Sequence, residues 1–167
     1  KYDWILRIDA DEYFENIDLF NQLINRIRLG EYKNFNGISL YRRMNFLECV
    51  IRHGGVFPIS IVRLFRSKYG LCENRWMDEH IVVSGGIVHE NLTIIDDNKM
   101  GFEFWLHKHI GYAKREAIEM LFFEFSITSK NKNFKNNYQA KQKRVFKEKY
   151  YNKLPLFVRP MLYFFYR

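Results

Sequence analysis

No stretch of this chain approaches the roughly 18 uninterrupted apolar residues that a membrane-spanning helix requires, so the sequence predicts no transmembrane helix. The N-terminus also lacks the basic, apolar and small-residue succession of a signal peptide. Beginning at Lys1-Tyr2 without a Met, the chain is expected to be a piece of a longer protein. Cysteine is scarce. Cys49 and Cys72 have no C-x-x-C spacing and no His partner at zinc-finger distance, which argues for reduced thiols and a cytoplasmic location. Internal repeats and low-complexity stretches are missing, so nothing suggests a solenoid or a disordered linker.

Acid is nearly absent from the last part of the chain. Residues 130–167 hold 11 Lys and Arg against the single Glu148, a net +10, whereas the chain as a whole carries +8. The first 129 residues are therefore close to neutral, at −2, and the basicity belongs to an appendage. What is present in quantity is apolar and aromatic surface. At 167 residues, 47% hydrophobic and 18% aromatic, the chain has enough material for one cored domain. The expected division is a domain over 1–129 and a basic, aromatic-rich helical tail over 130–167.

Along the chain, "ENIDLFNQLINRIRLG" places Ile17, Phe20, Leu23, Ile24 and Ile27 at helical spacing, with Asn16 as N-cap and Gly30 as stop. "FNGISLYRRMNF" and "ISIVRLFRSK" read as strands, and "EHIVVSGGIVHE" reads as a hairpin turning at Ser84-Gly85-Gly86. From Phe102 to Ser129 the pattern turns helical, a Lys-rich helix is expected from Phe134 to Tyr151, and Pro155 and Pro160 punctuate the ending. The Trp105, Tyr112 and Phe122-Phe123-Phe125 aromatics read as core.

The opening segment, "DWILRIDADEYF", delivers three acids directly after an apolar run. Trp4, Ile5, Leu6 and Ile8 suggest a central strand leaving the core, with Asp9 and Asp11 at its C-terminal edge. A D-x-D spacing puts both carboxylates on one side if the strand continues through them. Like charges held that close raise each other's pKa unless a cation lies between them, and carboxylate oxygens suit Mg²⁺ or Mn²⁺. The plain alternative is a solvated acidic turn opening the next helix. Arg63, in "VRLFR", sits among apolar strand residues, where its guanidinium could pair with those acids, with a phosphate, or with a neighbouring strand.

Together, "YDWILRIDADEY", "FLECVIRHGGVFP", "VRLFRSKYGLCENRWMDEHIVV", "DDNKMGFEFWLHKHIGYAKREA" and "LPLFVRPMLYFFYR" resemble bacterial family 2 glycosyltransferases of the GT-A fold. The resemblance covers nearly the whole chain and implies an α/β class, a partial, Rossmann-like GT-A domain with C-terminal helices. It also implies an upstream nucleotide-gripping half that this chain does not contain, so activity is expected of the two halves together rather than of the fragment alone. Carried over by position, Asp9-Ala10-Asp11 matches the metal-binding D-x-D, with Asp11 the direct ligand, Asp9 on metal or ribose, and Glu12 supporting the loop. Arg63 is assigned to the donor side. "WMDEH" falls where such enzymes place the catalytic base, which makes Glu79 the first candidate and Asp78 the second. His80 stands on the acceptor side. As the plain alternative, Asp78 caps a helix with His80 as a satisfied partner.

"IRHGGVFP" matches an acceptor-side loop through His53, Gly54 and Gly55, although a plain turn fits the sequence equally well. His107 and His109 are two apart and do not share a helix face, so either one, rather than both, is a candidate for the metal or the diphosphate. The implied activity is inverting transfer of a sugar from a nucleotide-diphosphate donor to a cell-surface polysaccharide or lipopolysaccharide-type acceptor, glycan or lipid-linked, with Mn²⁺ or Mg²⁺ as cofactor. Two other classes compete. Haloacid-dehalogenase-like phosphatases also begin with a strand and D-x-D, but they want Thr or Val where this chain has Tyr13, and no downstream Lys and acidic pair is evident. A non-enzymatic module binding membrane or a polyanion through residues 130–167 is the other. Lysines followed by aromatics suit an anionic membrane surface and could stack bases as well, though no nucleic-acid partner is expected; the resemblance implies a location at the inner face of the bacterial cytoplasmic membrane. A solvated Lys-rich helix remains the plain alternative for that tail.

Overall fold

In the computed structural model the described residues are 3–54, 56–73, 80–125, 154–155 and 157–166. The first helix, α1 (Ile17–Arg28), forms where its spacing predicted. The Asn16 side chain accepts from the backbone N–H groups of Asp18 and Leu19, both at 3.0 Å, and so satisfies two of the orphan donors at the helix start. Gly30, with φ +81°, takes the left-handed turn that ends it. Leu23 is buried, and Phe20, Ile24 and Ile27 pack beside it against the sheet.

The strands are β1 (Trp4–Leu6), β2 (Glu12–Phe14), β3 (Gly37–Phe46), β4 (Cys49–Val50), β5 (Ile59–Arg66), β6 (Gly70–Cys72), β7 (Ile81–Val83) and β8 (Ile87–Asp97). Six of them form one mixed sheet in the order β1-β5-β3-β8-β2, with β4 added to β3, while β6 and β7 form a separate pair. Within the large sheet β3 and β8 run parallel and the other pairs are antiparallel. The class is therefore mixed α/β.

Ile38 and Leu40 of β3, Leu64 of β5, and Leu92 and Ile94 of β8 form the main core with Leu23 of α1 and Tyr32. Burying each such aliphatic side chain stabilises the fold by about 1.5–3 kcal/mol. Phe14 stacks on Phe20 at 4.0 Å, so β2 is tied to α1 as well as to β8. A second cluster, Val62, Phe65 and Val83, sits where β6 and β7 meet β5. There Gly70 admits the Phe65 ring so closely that a Cβ would lie 2.1 Å from it.

Two expectations fail. The opening strand is a short edge strand, not a central one: among the described residues β1 pairs only with β5, and Ile5, Leu6 and Ile8 stay partly exposed. The Ser84-Gly85-Gly86 turn does not close a hairpin, because β7 pairs with β6 and β8 pairs with β3 and β2. The cause is Asn36. Its side-chain amide donates to the Ser84 carbonyl at 2.7 Å, and its backbone N–H donates to the Gly86 carbonyl at 2.8 Å. Those bonds pin the turn to the entrance of β3 and send its two arms into different sheets.

The helix α2 (Gly101–Glu124) covers most of the expected helical stretch, and Phe46 at the end of β3 packs on its Phe102 and Trp105 rings at 6.5 and 5.0 Å. Trp105 is half-buried and lies outside the two core clusters, and Phe125 is largely exposed, so neither joins the core expected of them. The expected helix over Phe134–Tyr151 lies outside the described residues. A last helix, α3 (Val158–Tyr166), follows Pro155 and carries Pro160 in its first turn, where the missing N–H has no intrahelical carbonyl to bond. Among the described residues no helix is long and apolar enough to cross a membrane. Cys49 and Cys72 form no disulfide.

Candidate functional site

The site is organised by an irregularity in β5. Its pairing with β3 runs from Ile38 opposite Leu64 to Ser39 opposite Val62, so Arg63 is an extra residue with no partner across the ladder. A bulge of this kind re-aims a side chain, and here it turns a guanidinium into the connection between β1 and β2. Arg63 is 6% exposed. Its Nη2 donates to the Glu12 carboxylate and, at 3.3 Å, to Asp9 Oδ2. Of the partners expected for Arg63, the structure shows the acids.

Glu12 completes the clamp. Its other carboxylate oxygen accepts the Asp9 backbone N–H at 3.1 Å, while its own N–H donates to the Asp9 carbonyl at 3.0 Å. Burial pushes the Glu12 carboxyl above the ordinary range, against the downward pull of the Asp9 N–H and of Arg63. The D-x-D is thus a turn between strands, because β1 ends at Leu6 and β2 begins at Glu12. Strand alternation does not set the two carboxylates. The reciprocal Asp9–Glu12 bonds and the buried Arg63 do. Asp9 remains half exposed at its side chain, and the Asp11 carbonyl is tied to the Asp97 N–H at 2.9 Å.

Sequence reading missed Asp96. It lies opposite Glu12 of β2 and beside Met44 of β3, at the point where the parallel strands β3 and β8 end together. Burial pushes its carboxyl upward; Arg42 opposes the rise, Asp11 adds to it, Lys108 opposes it and Asp9 adds to it. These acids and cations therefore share one electrostatic neighbourhood outside the carboxyl ends of the parallel pair, where ligands bind in open α/β sheets. The available signal was the "IIDD" ending of an apolar run, which repeats the pattern of "RIDAD". Lys108 arrives because Trp105, one turn earlier on α2, is packed against Phe46. The buried Nε atoms of Arg42 and Arg63 have no hydrogen-bond partner among the described residues.

The other candidates are distributed differently. Asp78, Glu79 and Gly55 lie outside the described residues. His80 exchanges contacts with Glu73, its N–H reaching Glu73 Oε2 at 3.3 Å and its carbonyl accepting the Glu73 N–H at 3.0 Å. His53 is exposed next to Gly54, whose φ of +72° marks a left-handed turn. His109 donates from Nδ1 to the Trp105 carbonyl at 2.8 Å and its ring lies 3.9 Å from the indole. No hydrogen bond or ion pair among the described residues links His53, His107 or His109 to the acids. A separate polar group brings the Ser39 and Ser60 hydroxyls within 3.2 and 3.1 Å of His89 Nδ1, with no carboxylate bonded to that ring among the described residues.

Among the described residues no group of three or more His, Cys, Asp or Glu side chains is arranged to hold a metal. One or two carboxylates completed by water and phosphate are enough for Mg²⁺, and the upward push that Asp11 and Asp9 add at Asp96 is the kind a cation relieves. Protein-family models, curated proteins and solved structures gave no match to this chain.

Proposed function

We propose that this chain is the metal- and acceptor-facing part of an inverting glycosyltransferase of the GT-A type, acting with a nucleotide-gripping half joined to it. The supporting observation is the Asp9–Asp11 turn, clamped by buried Arg63 and Glu12 at the carboxyl ends of the parallel strands, with Asp96, Arg42 and Lys108 around it. In this reading Asp11 and Asp9 offer oxygens to a divalent cation. Arg63 is a positioning residue, since its guanidinium is committed to the acids and holds the turn still. When bound, the cation offsets negative charge on the departing nucleoside diphosphate.

The chemistry assigned to the chain is a proton transfer. Glu79, or Asp78 beside it, takes the proton of the acceptor hydroxyl as that oxygen bonds to the anomeric carbon and the bond to the diphosphate breaks. Arg42 and Lys108 supply positive charge on the side where the diphosphate leaves. The acceptor is a glycan or lipid-linked saccharide presented to the loop of His53 and to His80.

The test is calorimetric titration of UDP and then GDP, with and without Mn²⁺, into the 167-residue chain and into the chain joined to its nucleotide-gripping half. Metal-dependent binding of one nucleotide, lost in Asp11→Ala, is the expected result. Binding unchanged by Asp11→Ala, or no metal-dependent binding by either form, refutes the reading and leaves the turn as a structural element.

A further inference from the structure

The nine residues of α3 carry an apolar surface that nothing among the described residues covers. Phe164 and Phe165 are each 78% exposed, Met161 is 62% exposed, and Phe157, just before the helix, is 86% exposed. At 100° per residue, Val158, Met161, Leu162, Phe164 and Phe165 sweep an arc of about 160°. Arg159 falls outside that arc, and its Nε is held by the Leu154 carbonyl at 2.7 Å. A seam for one partner helix is narrower than this, whereas a broad arc suits a flat boundary.

Charge identifies the boundary. Residues 130–167 contain 11 Lys and Arg and the single acid Glu148, and most of those cations precede α3 directly. An apolar protein partner would not need them; a sheet of anionic headgroups over a hydrocarbon layer matches both features at once. A nine-residue helix is far short of the roughly 20 residues needed to span that layer, so it lies along the surface.

We infer that residues 130–167 dock the protein on an anionic lipid bilayer, with α3 in the headgroup–acyl boundary and Phe164 and Phe165 inserted. The lysines and arginines of the preceding stretch meet the headgroups. This docking is independent of the transfer reaction proposed above and holds whether or not the chain binds a nucleotide.

The experiment is flotation of the 167-residue chain with vesicles of phosphatidylcholine alone or containing about one-third phosphatidylserine, at about 0.1 M and 0.5 M salt. The expected result is at least about tenfold stronger partitioning into the anionic vesicles, falling by a similar factor at the higher salt. A Phe164→Ser/Phe165→Ser chain, its far-UV circular dichroism unchanged, loses at least about tenfold in partitioning. The Lys141→Gln/Lys143→Gln/Arg144→Gln chain keeps the aromatics and loses most of the preference for anionic over neutral vesicles. Equal partitioning into both vesicles overturns the inference, as does partitioning untouched by the two phenylalanine changes. Self-association or binding of a single-stranded oligonucleotide, with no vesicle binding at the same salt, overturns it as well.

Discussion

Replacing Arg63 by Met keeps the bulk of the side-chain stem and removes the only charge-neutralising partner of a buried carboxylate among the described residues. Breaking one half of such a pair costs about 3–5 kcal/mol, because the remaining charge is left in a poorly solvated place. Against a total stability of about 5–15 kcal/mol, that loss is a large fraction. With a urea slope near 2 kcal/mol/M it moves the unfolding midpoint by about 2 M. The cost also depends on pH. Burial already holds the Glu12 carboxyl above its ordinary range, and without Arg63 it rises further. A group whose folded pKa is raised destabilises the fold above that pKa and ceases to do so below it. Arg63→Met should therefore be costly at pH 8 and milder at pH 5, the direction in which a raised Glu12 carboxyl regains its proton. Glu12→Gln added to Arg63→Met should recover part of the loss, since no buried charge remains. Urea melts of the four chains of this double-mutant cycle, followed by far-UV circular dichroism at both pH values, measure all of it. A pH-independent cost, or a double variant as unstable as the sum of the two singles, would refute the clamp.

Asp96→Asn should raise stability at neutral pH and leave it unchanged at pH 3, because the wild-type carboxyl, raised by burial, loses stability as pH climbs through its folded pKa. Thermal melts across pH 3–8 that stay parallel for the two chains would contradict this. Gly85→Ala should destabilise by about 1–2 kcal/mol in urea melts, since φ is +101° and the new Cβ would lie 2.4 Å from Asn36 Nδ2. A neutral outcome there would mean that Asn36 does not hold the turn between the two sheets.

What could be read from the chain divides by the range of the forces involved. Asn16, the apolar spacing of Phe20 to Ile27, and Gly30 announce α1 because a cap, a stripe and a stop all act within a few residues. The strands around Ile38 to Leu40 and Val62 to Leu64 were legible for the same reason. The hairpin at Gly85 was misread because two apolar arms and a glycine turn look identical whether the arms pair with each other or with strangers. What separates the cases is Asn36, some 50 positions from the turn in sequence and hydrogen-bonded to it in space.

The site shows the same limit more sharply. "DADE" is visible in the sequence, yet its geometry is set by Arg63, and Arg63 reaches it only because β5 carries one residue more than β3 can pair. No local propensity encodes that surplus. It arises from the joint register of β1, β3 and β5, which the Arg7 N–H to Arg63 carbonyl bond of 2.9 Å helps to fix. Asp96 is subtler still, since its proximity to Asp11 depends on β2 lying antiparallel on β8 with Glu12 opposite it. Two acidic segments that look unrelated along the chain become one neighbourhood by strand pairing alone. If that neighbourhood binds a cation, the ligand set drawn from "DADE" is incomplete. Asp96→Asn would then weaken Mn²⁺-dependent nucleotide binding while raising stability, a split that a purely structural carboxylate would not produce.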